Sequence, residues 1–301
     1  MNRTPVSLGA AIGLVADRAL GEPPAGVHPV AAFGRLMIGL EQVLRSGSPA
    51  GGAAAAAPDG SWRDGRLGGA AYAAAGVGLG WAAGVGLEWA AGAALGSSVP
   101  AAAVATWIVV AGRALGDEAQ AIGERLAAGD LDGARRRLPA LVGRDPDSLD
   151  AKGVARAVVE SVAENTVDAV VAPACWAAAG GAAGAGFYRA VNTLDAMVGH
   201  RNERYERFGW AAARLDDAAN WVPARLAGGL VAAVRPGRAR EVLDAVAHPP
   251  AHPSPNAGVV EAAFAAALGL RLGGDIPAVR PRRRNEPLGP HAGLPHAALR
   301  G

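Results

Sequence analysis

Cysteine and lysine are almost missing from this 301-residue chain, which has one of each, Cys175 and Lys152. A single cysteine excludes an intrachain disulfide and any cysteine-built metal site. The Ala-Pro-Ala-Cys-Trp setting of Cys175 reads as a buried small apolar position, not a reactive thiol. Aromatic residues make up 5% of the chain, Ile and Thr are few, and no stretch alternates apolar with polar residues. That leaves no strand signal. No GxxxxGK[ST] loop, GxGxxG turn after a strand, GxSxG elbow or HExxH pair occurs, so any nucleotide chemistry must use a site without a standard signature. Net charge is +2 and scattered, and no basic run is interleaved with aromatics, which argues against a nucleic-acid partner. The one dense basic patch, RPRRR at 280–284, reads as a solvated tail, with an anionic-lipid contact as the sharper alternative. The first apolar run, 6–15, leads into Asp17-Arg18 without a small-residue cleavage site, so no signal peptide is expected.

What is there is small, apolar and helical. Hydrophobic residues reach 51% and charged residues only 19%, below the roughly 25% of a typical soluble domain. Forty-three glycines and long alanine tracts allow close helix approach, in lipid or in a tight soluble bundle. Helices are expected over 5–20 and 31–45, separated by a Gly/Pro-rich loop presenting Glu22, His28 and Arg35. Residues 46–66 read as a mobile linker. Two apolar segments, 67–96 and 99–115, read as a transmembrane hairpin turning at Gly96-Ser97-Ser98, with Gly76, Gly80 and Gly84 as a packing face. A buried soluble hairpin is the alternative. From 116 the charge pattern changes to short soluble helices, with Asp130 capping one start. The next helix starts near Asp150. A kink is expected over 170–187, where Pro173 and a glycine cluster fall. Further helices follow at 188–200, 210–234 and 257–270. Four prolines keep 248–256 out of a helix. Residues 275–301 read as an irregular tail.

The polar residues gather between 156 and 220. Glu160, Glu164 and Asp168 stand at i, i+4 and i+8, which stacks three carboxylates along one helix face beside Asn165. Unpaired, they repel; partly buried, they need cations. A divalent ion held by oxygen ligands would be Mg²⁺ carrying nucleotide phosphates. An ion-paired face with Arg156 explains the spacing equally well. Asn192 and Asp195 share a face of the following helix, and Arg201 follows the break at Gly199, where a guanidinium suits phosphate or carboxylate. Asp216, Asp217 and Asn220 are further ligand candidates, or simply acids near a helix start. Ser254 and Asn256 are binding candidates or N-caps.

In order along the chain, Asp17 with His28-Pro29-Val30 and Gly34-Arg35, then ARAVVESVAENTVDAVVAP, YRAVNTLDAMVGHRNERYERFGWAAARLDDAANW and HPSPNAGVVEAAFAAALGLRLGG resemble the CobD/CbiB family. The resemblance covers nearly the whole chain, 1–301, as a single domain. Two departures stand out: His200 where the family often has Tyr, and a longer, Ala/Gly-rich 46–66 segment. The resemblance implies an all-α, polytopic inner-membrane protein whose polar helical region, 116–220, carries a cytoplasm-facing site. It implies an ATP- and Mg²⁺-dependent carbon–nitrogen ligase of cobalamin biosynthesis, an adenosylcobinamide-phosphate synthase. Such an enzyme joins adenosylcobyric acid to (R)-1-amino-2-propanol or its O-phosphate. On that basis Glu160, Glu164, Asp168 and Asp195 are expected as catalytic residues. Substrate binding falls to His28, Arg35, Asn165, Asn192, Arg201, Asn220, Ser254 and Asn256. Mg²⁺ falls to Glu160, Asp168, Asp216 and Asp217. Partners are the corrinoid, the amine, the bilayer and other membrane proteins of the pathway. The rival readings are a non-catalytic signalling relative, which would lose the carboxylate/Asn/Arg set, and a transporter, which the long 116–160 segment and the lack of a repeat disfavour.

Overall fold

The computed structural model describes residues 4–23, 28–46, 65–143, 146–200 and 202–272. Most of the 46–66 linker, the basic patch, the 275–301 tail and Arg201 lie outside the described residues. Within them the chain is helical without a strand. Helices α1 (Thr4–Leu20), α2 (Pro29–Ser46), α3 (Arg66–Leu95) and α4 (Val99–Val109) are followed by α5 (Gly112–Ala127) and α6 (Leu131–Arg137). Then come α7 (Ala151–Thr166), α8 (Ala172–Val198), α9 (Trp210–Val234), α10 (Ala239–Ala247) and α11 (Ala257–Leu268). Three helical stretches, the second broken at Val110 and the third at Gly180–Gly181, are by length and composition apolar enough to cross a membrane: Arg66–Leu95, Val99–Ala127 and Ala151–Val198. The chain divides into two compact units. One holds the chain up to Val110 together with Pro173–Ala219, and the other Ala111–Ala172 with the stretch from Asn220.

The first unit is built on glycine contacts. A Cβ at Gly9 or Gly13 of α1 would meet Ala102 or Thr106 of α4 at 2.6 and 2.5 Å, so these helices touch backbone to backbone. Along α3, Gly76 meets Leu194 and Met37, Gly80 meets Gly186 and Ala190, and Gly84 meets Ala182 and Ala183. The packing face expected at Gly76, Gly80 and Gly84 is therefore real, and its partner is α8. The expected turn is present too: Gly96 takes the left-handed conformation (φ 68°) that ends α3. The second arm of the hairpin differs from expectation. Instead of running to 115, α4 stops after 11 residues, about 16 Å, short of a hydrocarbon core of about 30 Å. Val110 is extended, and α5 begins two residues later.

The kink in α8 also differs in detail. At Pro173 the chain does not break but widens into a π turn over Val167–Val171, closed by the Ala172 N–H donating to the Val167 carbonyl. A proline cannot donate to the carbonyl four residues before it, here Ala169. The Ala111 N–H, free at the α4–α5 break, donates to that carbonyl at 3.0 Å. The actual break is at Gly180 and Gly181, whose φ of +62° only glycine adopts readily. There the Glu88 carboxylate, the lone charge of the apolar α3 segment, accepts from the Ala182 N–H at 2.7 Å. Residues 188–200 are thus the continuation of this helix through Val198, not a separate one.

In the second unit Asp130 caps α6, accepting from the Gly133 N–H at 2.8 Å and from Arg125 at 2.7 Å. These donors hold its carboxyl below the ordinary range. Arg137 forks onto Glu118 at 3.0 and 2.8 Å. Ile122, Ala134, Leu138, Val154 and Ala157 form one apolar cluster, and Ala232, Val242, Ala263 and Ala267 another. Helix α10 was not foreseen, because its nine residues between Arg/Pro-rich ends carry no strong cap signal.

Two outcomes follow from this packing. Gly80→Val should destabilise the detergent-purified protein by about 1–3 kcal/mol through overpacking, whereas Gly86→Ala, with nothing near its Cβ, should be neutral or slightly stabilising; equal melting shifts would refute the α3–α8 contact. The protein should also stay with the membrane fraction after alkaline carbonate washing, assayed by immunoblot.

Candidate active site

In the first unit the polar residues collect around Arg189, buried on α8. Its guanidinium donates to the Val109 carbonyl, released where α4 breaks, and to Asn192 Oδ1 at 3.3 Å. Around it lie buried Asp17, Glu22 and buried His28. His28 is a helix cap: its Nδ1 accepts from the Val30 N–H at 3.3 Å, its carbonyl accepts from Ala31, and Pro29 sits at the first helical position. Burial, with the nearby Arg189, lowers its pKa. Both Glu22 oxygens are covered and have no hydrogen-bond partner among the described residues. Burial pushes its pKa up to about 7, opposed by Arg189 and reinforced by Asp17. Neither Glu22 nor Arg189 was among the expected site residues. Arg189 lies in the Tyr-Arg-Ala-Val-Asn motif, and a lone arginine in an apolar helix was the signal that could have found it.

The other expected residues of this unit are placed less tightly. Asp195 folds beneath Gly199, where any side chain would strike its Oδ1. Arg35 is exposed on α2. Asp217 faces Arg214 at 3.9 Å, one turn back on α9. Asp216 has a fully covered oxygen. Arg204, also in the 201–209 segment, pairs with buried Glu41 at 3.0 Å, so this arginine is structural.

In the second unit α7 begins with Asp150 capping Gly153 at 2.7 Å and carries the carboxylates. Glu160 is buried. Ser161 donates to the Leu141 carbonyl at 2.7 Å, and the Asn165 amide donates back to the Ser161 carbonyl at 2.9 Å. Asp168 lies in the π turn, and its Oδ1 accepts from the amide of Asn220, 2% exposed on α9, at 3.1 Å. Asn256 is buried and accepts from Arg225 at 3.4 Å. Ser254 Oγ accepts from the Asn256 and Ala257 N–H groups at 3.3 and 3.2 Å, so it caps α11. Of the stacked trio, Glu160 and Glu164 lie on regular α7, and Asp168 lies in the π turn that follows it. Glu164 converges with His252 and Glu261, donor atoms within 4.8 Å of one another, the one such trio among the described residues.

The expected sites thus fall in both units. Glu160, Glu164, Asn165, Asp168, Asn220, Ser254 and Asn256 belong to the second, and His28, Arg35, Asn192, Asp195, Asp216 and Asp217 to the first. The family described as CobD/Cbib protein matches residues 10–292. This chain belongs to the CobD/CbiB family. It is 45% identical over 274 residues to "Cobalamin biosynthesis protein CobD" of Mycobacterium tuberculosis, covering 89% of this chain and 80% of that protein. A protein of the same name from Rhodobacter capsulatus is 50% identical over 171 residues, 57% of this chain and 54% of that one. Another from Pelobacter propionicus is 38% identical over 272 residues, 88% and 79% of the two. No solved structure matches.

Glu22 generates a pH dependence. Its carboxyl pKa is raised from 4.5 to about 7 on folding, so the folded state holds the proton more tightly than the unfolded one. Its contribution to stability is complete below pH 4.5 and is lost as pH rises through about 7. Glu22→Gln should therefore raise the melting temperature at pH 8 and change it little at pH 4.5, with a stability difference on the order of 2 kcal/mol. Thermal melts of both proteins across this range test it.

Proposed function

We propose that this chain is an enzyme of cobalamin biosynthesis that joins the propionate carboxylate of adenosylcobyric acid to (R)-1-amino-2-propanol or its O-phosphate, forming an amide. What supports the pathway is the family membership and the name of relatives 45% and 50% identical, cobalamin biosynthesis proteins. What supports the chemistry is one observation above the others. The Glu-Asn-x-x-Asp motif of α7 and the Asp-Asp-x-x-Asn-Trp motif of α9 meet through the Asp168–Asn220 hydrogen bond, beside a widened turn and a buried Glu160. A π turn and buried polar groups cost stability, and π turns occur frequently at functional sites.

Amide formation needs an activated carboxylate, an amine stripped of its proton and a charge-neutralised leaving group. ATP with Mg²⁺ supplies the activation and screens phosphate charge. The residues fit that pair by chemistry: Glu160 and Asp168 offer only hard oxygen donors, and the Asn220 amide orients the Asp168 carboxylate through Oδ1. One of Glu160, Glu164, Asp168 and Asp195 takes the ammonium proton. Exposed Arg35, and Arg201, supply guanidinium groups for phosphate. Asp216 and Asp217, in the first unit, are the further oxygen donors that the family resemblance suggests for Mg²⁺. Asn165 and buried Asn256 in the second unit, and Asn192 in the first, supply amides for the corrinoid's amide side chains, while His28 and Ser254 hold the starts of α2 and α11. The site faces the cytoplasm from the inner membrane in this reading.

Purified protein incubated with adenosylcobyric acid, ATP, Mg²⁺ and each amine, followed by mass analysis of the corrinoid, tests it. The expected product gains one amine less one water. Asp168→Asn should cut turnover at least 100-fold, and Asn220→Ala about 10–100-fold, with insertion and melting retained. Wild-type protein inert with both amines, while still membrane-inserted and folded, would favour a non-catalytic relative.

A further inference from the structure

We propose that Glu164, His252 and Glu261 form a site for a first-row divalent transition ion, Zn²⁺ or Mn²⁺, distinct from any Mg²⁺ that accompanies ATP. The three donors come from three separate segments of the second unit: α7, the proline-rich loop before α11, and α11 itself. Their atoms lie within 4.8 Å of one another. His252 Nε2 stands 3.9 Å from Glu261 Oε1, and the two side chains are 30% and 17% exposed. Around a tetrahedral ion with bonds of about 2.1 Å, donor atoms sit roughly 3.4 Å apart. A side-chain rotation of about one ångström closes the trio on an ion.

The imidazole is held for this role. Its Nδ1 lies 3.1 Å from the Ser254 N–H and 3.2 Å from the Ser254 carbonyl oxygen. Either tautomer is therefore satisfied on that side. With Nδ1–H donating to the carbonyl, the Nε2 lone pair points away from Ser254 and is free to bind a cation. Such an outer hydrogen bond is what orients metal-binding histidines. Ser254 is itself fixed by capping α11, and Gly258 leaves room for the histidine: any side chain there would meet His252 Cβ at 2.7 Å. Two carboxylates and one imidazole with donor atoms this close are a mixed oxygen–nitrogen set that suits a divalent ion. An imidazole in the set favours Zn²⁺ or Mn²⁺ over Mg²⁺, which takes oxygen ligands and keeps its waters. His252 and Glu261 belong to the HPSPN-x(4)-E stretch, whose ring and carboxylate the ligation chemistry leaves unassigned.

The test uses the full chain in detergent, stripped with a chelator and titrated separately with Zn²⁺, Mn²⁺ and Mg²⁺. No substrate is present, so the result stands apart from the ligase assay in either direction. Bound metal is read by mass spectrometry after desalting, and Co²⁺ is added as a visible-absorption probe. About one Zn²⁺ or Mn²⁺ per chain is expected, retained against about tenfold excess Mg²⁺, with a Co²⁺ absorption band. Glu261→Gln and His252→Asn should each weaken binding at least tenfold, and His252→Asn should shift the Co²⁺ band. Wild-type protein that takes up no transition ion, yields it equally to Mg²⁺, or binds it unchanged in a folded Glu261→Gln variant, would overturn the site. A bare His252–Glu261 ion pair predicts the first of these results.

Discussion

An apolar helical protein must account for every backbone group that a broken helix releases, since neither lipid nor a packed core offers water in exchange. Three such breaks organise this chain. Pro173 leaves the Ala169 carbonyl without a donor, and the Ala111 N–H takes it. The α4–α5 interruption frees the Val109 carbonyl, and Arg189 takes it. The Gly180–Gly181 break exposes the Ala182 N–H, and Glu88 takes it. Two of the rare charges in the apolar segments therefore have a backbone duty, which is why they are tolerated at a cost that would otherwise reach several kcal/mol.

The same breaks position chemistry. The π turn that accommodates Pro173 is the turn that presents Asp168 to Asn220. Arg189, held by the Val109 carbonyl, is also the cation whose charge acts on Glu22 and His28. Close glycine contacts between α1 and α4 and between α3 and α8 keep the first unit narrow enough for these reaches. In the second unit the irregular backbone, the π turn over Val167–Val171, lies within a motif. This fits the rule that departures from ideal helices cluster at functional positions.

Much of this was legible in the residues. Helix starts at Asp130 and Asp150, the Gly96 stop, the α3 glycine face and the absence of strands follow from local rules: a carboxylate capping an N-terminus, a glycine at positive φ, spacing on a 3.6-residue period. The family was legible too, because its motifs hold amide and acid side chains where composition is otherwise apolar. Less legible were the stop of α4 at Val110, which has no proline or glycine before it, and α10. Those depend on partners distant in sequence, such as Ala169 for Ala111.

By itself, then, the sequence determined the all-α class, most helix starts and the family, because each rests on residues within a turn or two of one another. Only the tertiary structure decided what each polar residue touches. Spacing placed Glu160, Glu164 and Asp168 on one face, but only the fold shows Glu164 converging with His252 and Glu261, and Asp168 bonded to Asn220. His252 lies 88 residues from Glu164 by number, and no local pattern joins them. Contacts of that separation are set by how α7 and α11 pack, and packing is a property of surfaces that a one-dimensional period does not contain.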